Sequence, residues 1–272
     1  MIAETARAKL NLALHVLGRR EDGYHDLDTL FAFVEDGDRL RADPAAELTL
    51  HAEGPFAEAL EAPEHNLVLR AAHALRERFA VKEGAALTLD KRLPVAAGLG
   101  GGSADAAAAL RLLARLWKLQ ANGPALVDIA ASLGADVPAC LFSHTARGRG
   151  RGDALEPLDL PLAGTAVLLI NPCIALSTAA VFRRWTPPGS GSLPADPLDG
   201  GNDLEAPAIA LAPEIGVVLE RLRRCAAASL VRMSGSGATC FALFDSVAAR
   251  DQADRAIAAE KPGWWRLPTR LV

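Results

Sequence analysis

A glycine-rich stretch from Pro94 to Asp105 runs directly into Ala106 to Leu116, a segment of alanine and leucine that is typical of a helix. Successive glycines allow backbone N–H groups to turn toward one point with no Cβ in the way. A helix that begins there adds unpaired donors and the positive end of its dipole. The pattern favours a phosphate-binding loop, and the alternative for this stretch alone is a flexible link between a strand and a helix.

Two common phosphate-binding motifs do not match this loop. A Walker A loop continues with Lys and then Ser or Thr after its last glycine, but Gly102 is followed by Ser103 and Ala104. The dinucleotide fingerprint requires Gly or Ala three residues after its second glycine, but Ser103 stands three residues after Gly100. Other parts of the chain must therefore define the chemistry.

The composition excludes several classes of protein. The chain has 272 residues, a formal net charge of −4 and a pI near 5.9, which give no electrostatic basis for binding nucleic acid. The four cysteines are far apart and form neither a zinc pattern nor a CxxC pair, so we predict reduced core thiols. No apolar run approaches the roughly 18 residues of a membrane span, and the first residues lack a signal-peptide pattern. We therefore predict a cytoplasmic protein without a membrane partner.

Near the start of the chain, residues from Ala6 to Val16 alternate between an apolar row and a more polar row. This period of two predicts a half-buried strand. Lys9 and Asn11 would then project side by side from the face opposite the apolar row. The alternative for both residues is an ordinary solvated strand face.

Tyr24 and His25 lie between a predicted turn at residues 18–23 and a predicted strand, Leu27 to Val34. An aromatic ring beside a histidine can stack on a flat ligand ring and hydrogen-bond its edge. A half-buried packing residue is the alternative for Tyr24. The sequence Asp36-Gly37-Asp38 predicts the end of this strand.

The rest of the chain alternates between short strands, helices and loops. Asn66 is predicted to cap a helix, and a Pro-, Gly- and Glu-rich loop precedes it. The other predictions are strands at Leu40 to Ala42, Leu48 to His51, Ala86 to Asp90, Thr165 to Asn171, Leu230 to Met233, Cys240 to Phe244 and Trp264 to Leu271; helices at Ala125 to Leu133, Ser177 to Phe182, Asp203 to Leu211, Glu214 to Ala227 and Ser246 to Ala259; and loops at Ala146 to Asp153 and Thr186 to Gly201.

Two further features carry polar groups in unusual places. Asp136 lies between a helix stop at Gly134 and an apolar, strand-like run, where an unpaired charge would be costly, so it needs a partner or a function. A turn aspartate is the alternative. A second glycine loop, Met233 to Thr239, is most simply a hairpin turn, but its composition also suits close approach to another loop or to phosphate.

These features together match the requirements of phosphoryl transfer. That reaction needs donors around the phosphates, a cation to offset developing charge and a carboxylate to accept the proton of the attacking hydroxyl. The sequence offers no metal cage of His, Cys or clustered carboxylates and no Ser/His/Asp order for acyl transfer. It therefore predicts a kinase that acts on a small hydroxylated substrate.

Three stretches resemble, in the same order, the three motifs of the GHMP kinase superfamily: Lys9 to Leu12, Pro94 to Ala109 and Ser234 to Ala238. Within it, the closer resemblance is to the kinases that act on a cytidine diphosphate methylerythritol in the non-mevalonate isoprenoid pathway. The stretches that carry this second resemblance are Ala8 to Leu12, Gly18 to His25, Asn66 to Val68, Gly134 to Pro138 and Asn202 to Glu205.

The resemblance implies a two-domain α+β fold, with a ribosomal-protein-like domain at residues 1–150 and a ferredoxin-like domain at 151–272 that completes the cleft for ATP and substrate. Asp136 would be the general base for the 2-hydroxyl, assisted by Lys9. The implied substrate-binding residues are Asn11, Tyr24, His25, Thr178 and Phe182, with Tyr24 and Phe182 on the two faces of the cytosine and His25 at its edge. The loop residues Gly235, Ser236 and Gly237 would contact phosphate or substrate.

ATP would be held by Asn66, near the adenine, and by Pro94, Val95, Ala96, Ala97, Gly98, Leu99, Gly100, Gly101, Gly102, Ser103 and Ala104. Mg²⁺ would be held mainly through ATP, and the resemblance gives no carboxylate ligand for it. The chain would be a monomer or a homodimer. It departs from the family at Ala96, where the motif often has Gly, and at Ala104, which removes a second hydroxyl. A related kinase of mevalonate or homoserine, and an inactive nucleotide-binding module, are the alternatives.

Overall fold

The structure is a computed structural model that describes residues 1–60, 62, 65–120 and 123–272. It contains two compact units, neither of which is one continuous stretch of chain. The first unit is Met1–Lys9, Asp36–Val95 and Gly100–Ser143, and the second is Leu10–Glu35, Ala96–Leu99 and His144–Val272. The division at residue 150 stays a prediction. No helix in the described ranges is long and apolar enough to cross a bilayer.

The first unit packs helices against a small sheet. Strand β3 (Leu48–Glu53) pairs in parallel with β4 (Gly84–Asp90), which pairs antiparallel with the second half of β2 (His25–Ala45). Helix α2 (Gly101–Leu116) lies at the centre, and alanines fill most of its buried face, which allows its neighbours to approach closely. Those neighbours are α1 (Leu67–Arg78), α3 (Gly123–Leu133) and α4 (Val137–Phe142).

Strand β1 (Ile2–Arg19) is longer and more deeply buried than the sequence predicts. The apolar row from Ala6 to Val16 is buried as expected, but Lys9, Asn11 and His15 on the other face are also 3–5% exposed. The prediction of a half-buried strand was therefore wrong. Lys9, Asn11 and His15 lie in the interior, where each polar side chain needs a partner.

Strand β2 does not end at Asp36-Gly37-Asp38, contrary to the prediction, but continues as one strand through Leu40 to Ala45. The glycine serves close packing rather than a turn. A Cβ on Gly37 would lie only 1.8 Å from the carbonyl oxygen of Ala6 and 2.9 Å from the Cα of Arg7. Only glycine allows this approach, and Asp38 is held inside by a partner described below.

The second unit has the sheet order β10–β7–β9–β8, with antiparallel neighbours throughout. The strands are β7 (Ala166–Asn171), β8 (Ala228–Met233), β9 (Cys240–Phe244) and β10 (Trp265–Arg270). Helices α7 (Glu214–Arg223) and α8 (Val247–Glu260) pack on this sheet. This β-α-β-β-α-β order is the ferredoxin-like arrangement that the sequence predicts. The shorter helices α5 (Thr178–Arg184) and α6 (Glu205–Leu211) join the same core.

The segment Ala146 to Asp153 was predicted as a loop, but its first part is strand β5 (Ala146–Gly150), which pairs with β2 and with β6 (Ala154–Pro157). A Cβ on Gly148 would lie 2.6 Å from the ring of Phe31, so this glycine makes room for an aromatic side chain on the neighbouring strand. The alternation of arginine and glycine from Ala146 to Asp153 is the pattern on which the loop was predicted.

Other local predictions had mixed outcomes. Asn66 caps α1 as predicted, and its side-chain oxygen accepts from the amide of Val68 at 2.9 Å. The loop predicted before Asn66 includes residues 61, 63 and 64, which lie outside the described residues. The predicted exposed loop from Thr186 to Gly201 is partly wrong, because Leu193 is buried. Of the four free thiols, Cys140 and Cys240 are buried as predicted, but Cys173 is exposed.

Candidate active site

The glycine loop leads into α2 earlier than the composition suggests. Helix α2 begins at Gly101 rather than at Ala106, and Gly100 at its N-cap has a φ of 61°. Gly98 also has a positive φ, 76°, a conformation in which glycine is favoured. Ala96, where the family motif often has Gly, has a φ of 53°. Three residues of the loop therefore hold a left-handed backbone just before a 16-residue helix.

Lys9 and Asp136 form an ion pair beside the start of α2. The Lys9 Nζ and the Asp136 Oδ2 are 3.2 Å apart, and the two side chains are 5% and 35% exposed. A Cβ on Gly100 would lie 3.0 Å from the Lys9 Cε and 3.8 Å from the Asp136 Oδ2. The two predicted catalytic side chains and the N-cap of α2 therefore lie in direct contact within the first unit.

Asp136 occupies the N-cap position of α4, where the sequence predicted a strand-like run. The apolar residues Val137 to Phe142 form a six-residue helix. The sequence did not distinguish a helix from a strand here, because so short an apolar run shows no clear period. Within the described residues, the Asp136 carboxylate makes no capping bond to the helix. It is therefore directed to Lys9 and is partly open to solvent.

Asn11 and the second glycine loop meet within the second unit. The Asn11 side chain donates to the Thr29 hydroxyl at 2.7 Å, and the Asn11 amide donates to the Ser234 hydroxyl at 3.1 Å. Ser234 in turn donates to the Gly98 carbonyl at 2.8 Å. A Cβ on Gly98 would lie 2.3 Å from the Ser234 carbonyl oxygen, so the two glycine loops touch through their backbones.

The hairpin between β8 and β9 carries the rest of this loop. Gly235 and Gly237 both have positive φ values, 57° and 89°. The hydroxyl groups of Ser236 and Thr178 are 2.9 Å apart, so Thr178, at the first turn of α5, is joined to the loop. Asn202 donates to the carbonyl oxygens of Met233 and Gly235, both at 2.8 Å, and fixes the loop from the other side.

An aromatic cluster surrounds His25 in the second unit. The ring centroids of His25 and Phe182 are 4.8 Å apart and tilted by 33°, and Trp185 meets the His25 ring edge-on at 5.8 Å. Burial, with a smaller effect of the Arg19 charge, lowers the pKa of His25. His25 Nε2 is buried and has no hydrogen-bond partner among the described residues. The imidazole is thus neutral near pH 7 and has an unused polar edge.

Tyr24 is 55% exposed, so its alternative interpretation as a half-buried packing residue was wrong. The guanidinium of Arg151 lies 5.3 Å from the centre of its ring, within the range of a cation–π contact. Neither the Arg151 contact nor the Trp185 contact is predicted by the sequence. A short arginine- and glycine-rich stretch and a lone tryptophan give no local signal for such contacts.

A buried ionic cluster below the glycine loop was also missed. Lys91 Nζ donates to Asp38 Oδ2 at 2.5 Å and to Asp105 Oδ2 at 2.7 Å, and all three residues are at most 2% exposed. Burial raises the pKa of Asp105 to about 7, against the effect of Lys91. A Cβ on Gly101 would lie 3.1 Å from the Lys91 Nζ. The cluster therefore supports the first residue of α2.

Asn66 lies near the glycine loop because it caps α1, whose first turn packs next to the start of α2. A Cβ on Gly102 would lie 3.6 Å from the Leu67 Cδ1, so the first turns of α1 and α2 are neighbours. The side-chain oxygen of Asn66 serves as the α1 cap. Pro94, Ala97 and Leu99 are buried, whereas Val95 is 41% exposed and Ser103 is partly exposed.

Comparison with known proteins identifies the family. Family models match two parts of the chain, the GHMP kinases N terminal domain at residues 66–144 and the GHMP kinases C terminal model at residues 189–262. A protein of Rhizorhabdus wittichii named 4-diphosphocytidyl-2-C-methyl-D-erythritol kinase is 55% identical over 276 residues, which cover 98% of this chain and 94% of the relative. A protein of the same name from Parvibaculum lavamentivorans is 50% identical over 280 residues, covering 97% and 96%.

A solved structure agrees with these relatives. The crystal structure of a 4-(cytidine 5'-diphospho)-2C-methyl-D-erythritol kinase matches with a TM-score of 0.85 at 36% identity and covers 99% of both chains. The two-domain α+β architecture of the GHMP kinases, expected from the sequence, is therefore confirmed. The chain is an ATP-dependent kinase and belongs to the 4-diphosphocytidyl-2-C-methyl-D-erythritol kinase family.

Proposed function

We propose that this kinase transfers the γ-phosphoryl group of ATP to the 2-hydroxyl of 4-diphosphocytidyl-2-C-methyl-D-erythritol, a step of the non-mevalonate route to isoprenoid precursors. The products are the 2-phosphate and ADP. The observation that carries the proposal is the Lys9–Asp136 pair packed against Gly100 at the N-terminus of α2. It puts a carboxylate, a cation and unpaired backbone donors within a few ångströms of one another.

Asp136 acts as the general base. Its carboxylate accepts the proton of the 2-hydroxyl while the hydroxyl oxygen bonds to the γ-phosphorus and the bond to the bridging oxygen of ADP breaks. The carboxylate is suited to this role because it does not cap its own helix and is 35% exposed. Lys9, whose side chain is 5% exposed, stabilises negative charge on the attacking oxygen.

The glycine loop binds the phosphates of ATP. Its donors are the backbone N–H groups of Gly98 to Ser103, and the dipole of α2 adds a favourable field for an anion. The Lys91 cluster lies beneath this loop and supports it, since Gly101 packs on the Lys91 ammonium group. Asn66, next to the start of α2, is our proposed neighbour of the adenine.

Mg²⁺ offsets the charge of the phosphates when it is bound with ATP. Among the residues that the structure describes, no group of three or more His, Cys, Asp or Glu side chains is arranged to hold a metal ion. Asp105, the carboxylate of the α2 first turns, is engaged by Lys91. We propose that the metal is held mainly through ATP oxygens and water, with the Ser103 hydroxyl, on the first turn of α2, as a ligand from the protein.

The cytidine end of the substrate is assigned to the aromatic cluster of the second unit. We propose that the cytosine lies between Tyr24 and Phe182 and that the unused edge of His25 hydrogen-bonds to it. Asn11 and Thr178 hold other polar groups of the substrate. The chain would work as a monomer or a homodimer in the cytoplasm.

A coupled assay of ADP release tests the activity. We expect turnover with the cytidine diphosphate substrate and none above background with mevalonate or homoserine. Asp136→Asn should lower kcat by about 10²- to 10⁴-fold, the usual contribution of a positioned base, while the affinity for ATP changes little. Asp128→Asn, which alters an exposed carboxylate on the neighbouring helix α3, is the matched control. Near-normal kcat for Asp136→Asn would refute its role.

A further inference from the structure

The position of Asp136 depends on what holds the short helix α4. This helix has six residues, and so short a helix has little stability of its own. The carbonyl groups of Cys140 and Leu141 in its last turn are too near the helix end to accept from a backbone amide within the helix. Asp136 lies at the N-cap of α4, so a shift of this helix would move the proposed base relative to Lys9.

Arg111 of α2 holds the far end of α4. Its Nη1 donates to the carbonyl oxygens of Cys140 at 2.8 Å and of Leu141 at 3.0 Å. A cation at this end of a helix is also favourable for the helix dipole. The Ser143 hydroxyl adds a bond to the Cys140 carbonyl at 2.6 Å from the residue that follows α4, whereas Arg111 joins α4 to helix α2.

The same guanidinium group also holds strand β1. Its Nε donates to Glu4 Oε1 at 2.9 Å, and its Nη2 lies 3.5 Å from the carbonyl oxygen of Thr5. Glu4 precedes Lys9 by five residues on the same strand. One side chain on α2 therefore contacts both β1, which carries Lys9, and α4, which begins after Asp136.

We propose that Arg111 is a positioning residue for the transfer reaction. It fixes α4 and β1 to the helix that begins at the glycine loop, and so sets the Lys9–Asp136 distance. The inference rests on the proposed function, in which Asp136 is the base. Arginine suits the task because its planar fork presents five N–H donors in fixed directions, whereas lysine has one ammonium group on a flexible chain.

Displacement of a catalytic group by about 1 Å costs on the order of 100-fold in rate. We therefore expect Arg111→Met to lower kcat by about 10- to 100-fold while KM for ATP changes by less than about threefold. Arg111→Lys keeps the positive charge but loses the planar guanidinium group, so its kcat should lie between that of Arg111→Met and that of the unchanged enzyme. Because a loss of folded enzyme would also lower the apparent kcat and leave KM unchanged, kcat is calculated per folded molecule, with the folded fraction of each variant measured by circular dichroism.

Arg115→Met is the matched control. Arg115 lies one turn further along α2 and binds the same carboxylate, with its Nη2 2.6 Å from Glu4 Oε2, and it also reaches the Ala3 carbonyl at 3.2 Å. It has no hydrogen bond to α4 among the described residues. We expect kcat of this variant to stay within about twofold of the unchanged enzyme.

A double-mutant cycle on kcat provides the decisive test, measured by single turnover because rates are low. If Arg111 acts through Asp136, Arg111→Met should have almost no further effect in the Asp136→Asn background. The inference would be overturned if the losses of kcat in the two single variants multiply in the double variant. It would also be overturned if kcat of Arg111→Met stays within twofold of the normal value. Where Arg111→Met does not fold, the same cycle with Arg111→Lys decides. Full activity of Asp136→Asn alone would instead refute the proposed base, whatever Arg111 does.

Discussion

Replacing Lys91 by methionine should destabilise the protein strongly, because Lys91 is the cation between two buried carboxylates. Asp38 and Asp105 lie 2.5 and 2.7 Å from its Nζ, and the three residues are at most 2% exposed. Methionine has a similar volume and leaves no large cavity. The variant therefore isolates the loss of charge, and it leaves two carboxylates in the interior without their counter-ion.

The magnitude follows from the burial of the cluster. Removing one partner of a buried ion pair typically costs about 3–5 kcal/mol. Asp38 keeps two hydrogen bonds, from the amides of Arg92 at 2.6 Å and Leu93 at 2.8 Å, so much of the cost falls on Asp105. At about 2–4 °C per kcal/mol for a large chain, the melting temperature should fall by roughly 6–20 °C.

Thermal unfolding followed by circular dichroism at pH 8 measures this effect. Lys82→Met, which removes an exposed lysine of the same unit, should leave the melting temperature within about 1 °C. The double variant Lys91→Met/Asp105→Asn should recover part of the loss, because it leaves only one buried carboxylate. A melting temperature within 2 °C of normal for Lys91→Met would refute the reasoning, since it would mean that the buried carboxylates do not need their cation.

Two further predictions concern the same region. The pKa of Asp105 is about 7 in the folded protein, whereas the usual pKa of an aspartate is about 4. Between these two pH values the folded state keeps a proton that the unfolded state releases. The contribution of this carboxyl group to stability is therefore lost as pH rises. Asp105→Asn should therefore flatten the decline of the melting temperature from pH 5 to pH 8, and an unchanged slope would contradict the raised pKa. Gly98→Ala should lower kcat/KM for ATP at least about tenfold, because its Cβ would lie 2.3 Å from the Ser234 carbonyl oxygen at a positive φ. Gly263→Ala, at an exposed glycine whose Cβ would have nothing within 4 Å, should be tolerated, and equal losses in the two variants would contradict this prediction.

Features with a local cause could be predicted from the sequence. The Asn66 cap depends on residues within the first turn of α1, and the β8–β9 hairpin depends on its own glycines and flanking apolar runs. Local composition also predicts a helix directly after the glycine loop, although α2 begins at Gly101, inside the glycine run. For the candidate site, Lys9 and Asp136 could be singled out before the structure, and the structure pairs them.

Several of the errors have a common cause, because they depended on a partner far along the chain. Gly37 was interpreted as a turn because the carbonyl of Ala6 that requires it is 31 positions away, and Gly148 has the same relation to Phe31. Neither sequence pattern reveals which backbone or ring will lie opposite a glycine. Arg111 is a further case, since its contacts with Glu4 and Cys140 join parts of the chain that no periodicity connects.

The unused nitrogen of His25 has a consequence for selectivity. A buried polar atom without a partner carries a desolvation cost of about 1–3 kcal/mol, so the free enzyme is held in a less favourable state than one with that atom bonded. In the binding mode proposed above, a pyrimidine whose edge complements the neutral imidazole would remove this cost on binding. A base of the same shape with the wrong edge leaves the cost in place and adds an unpaired group of its own. The enzyme would therefore discriminate between nucleobases of nearly equal size chiefly by penalising the wrong one.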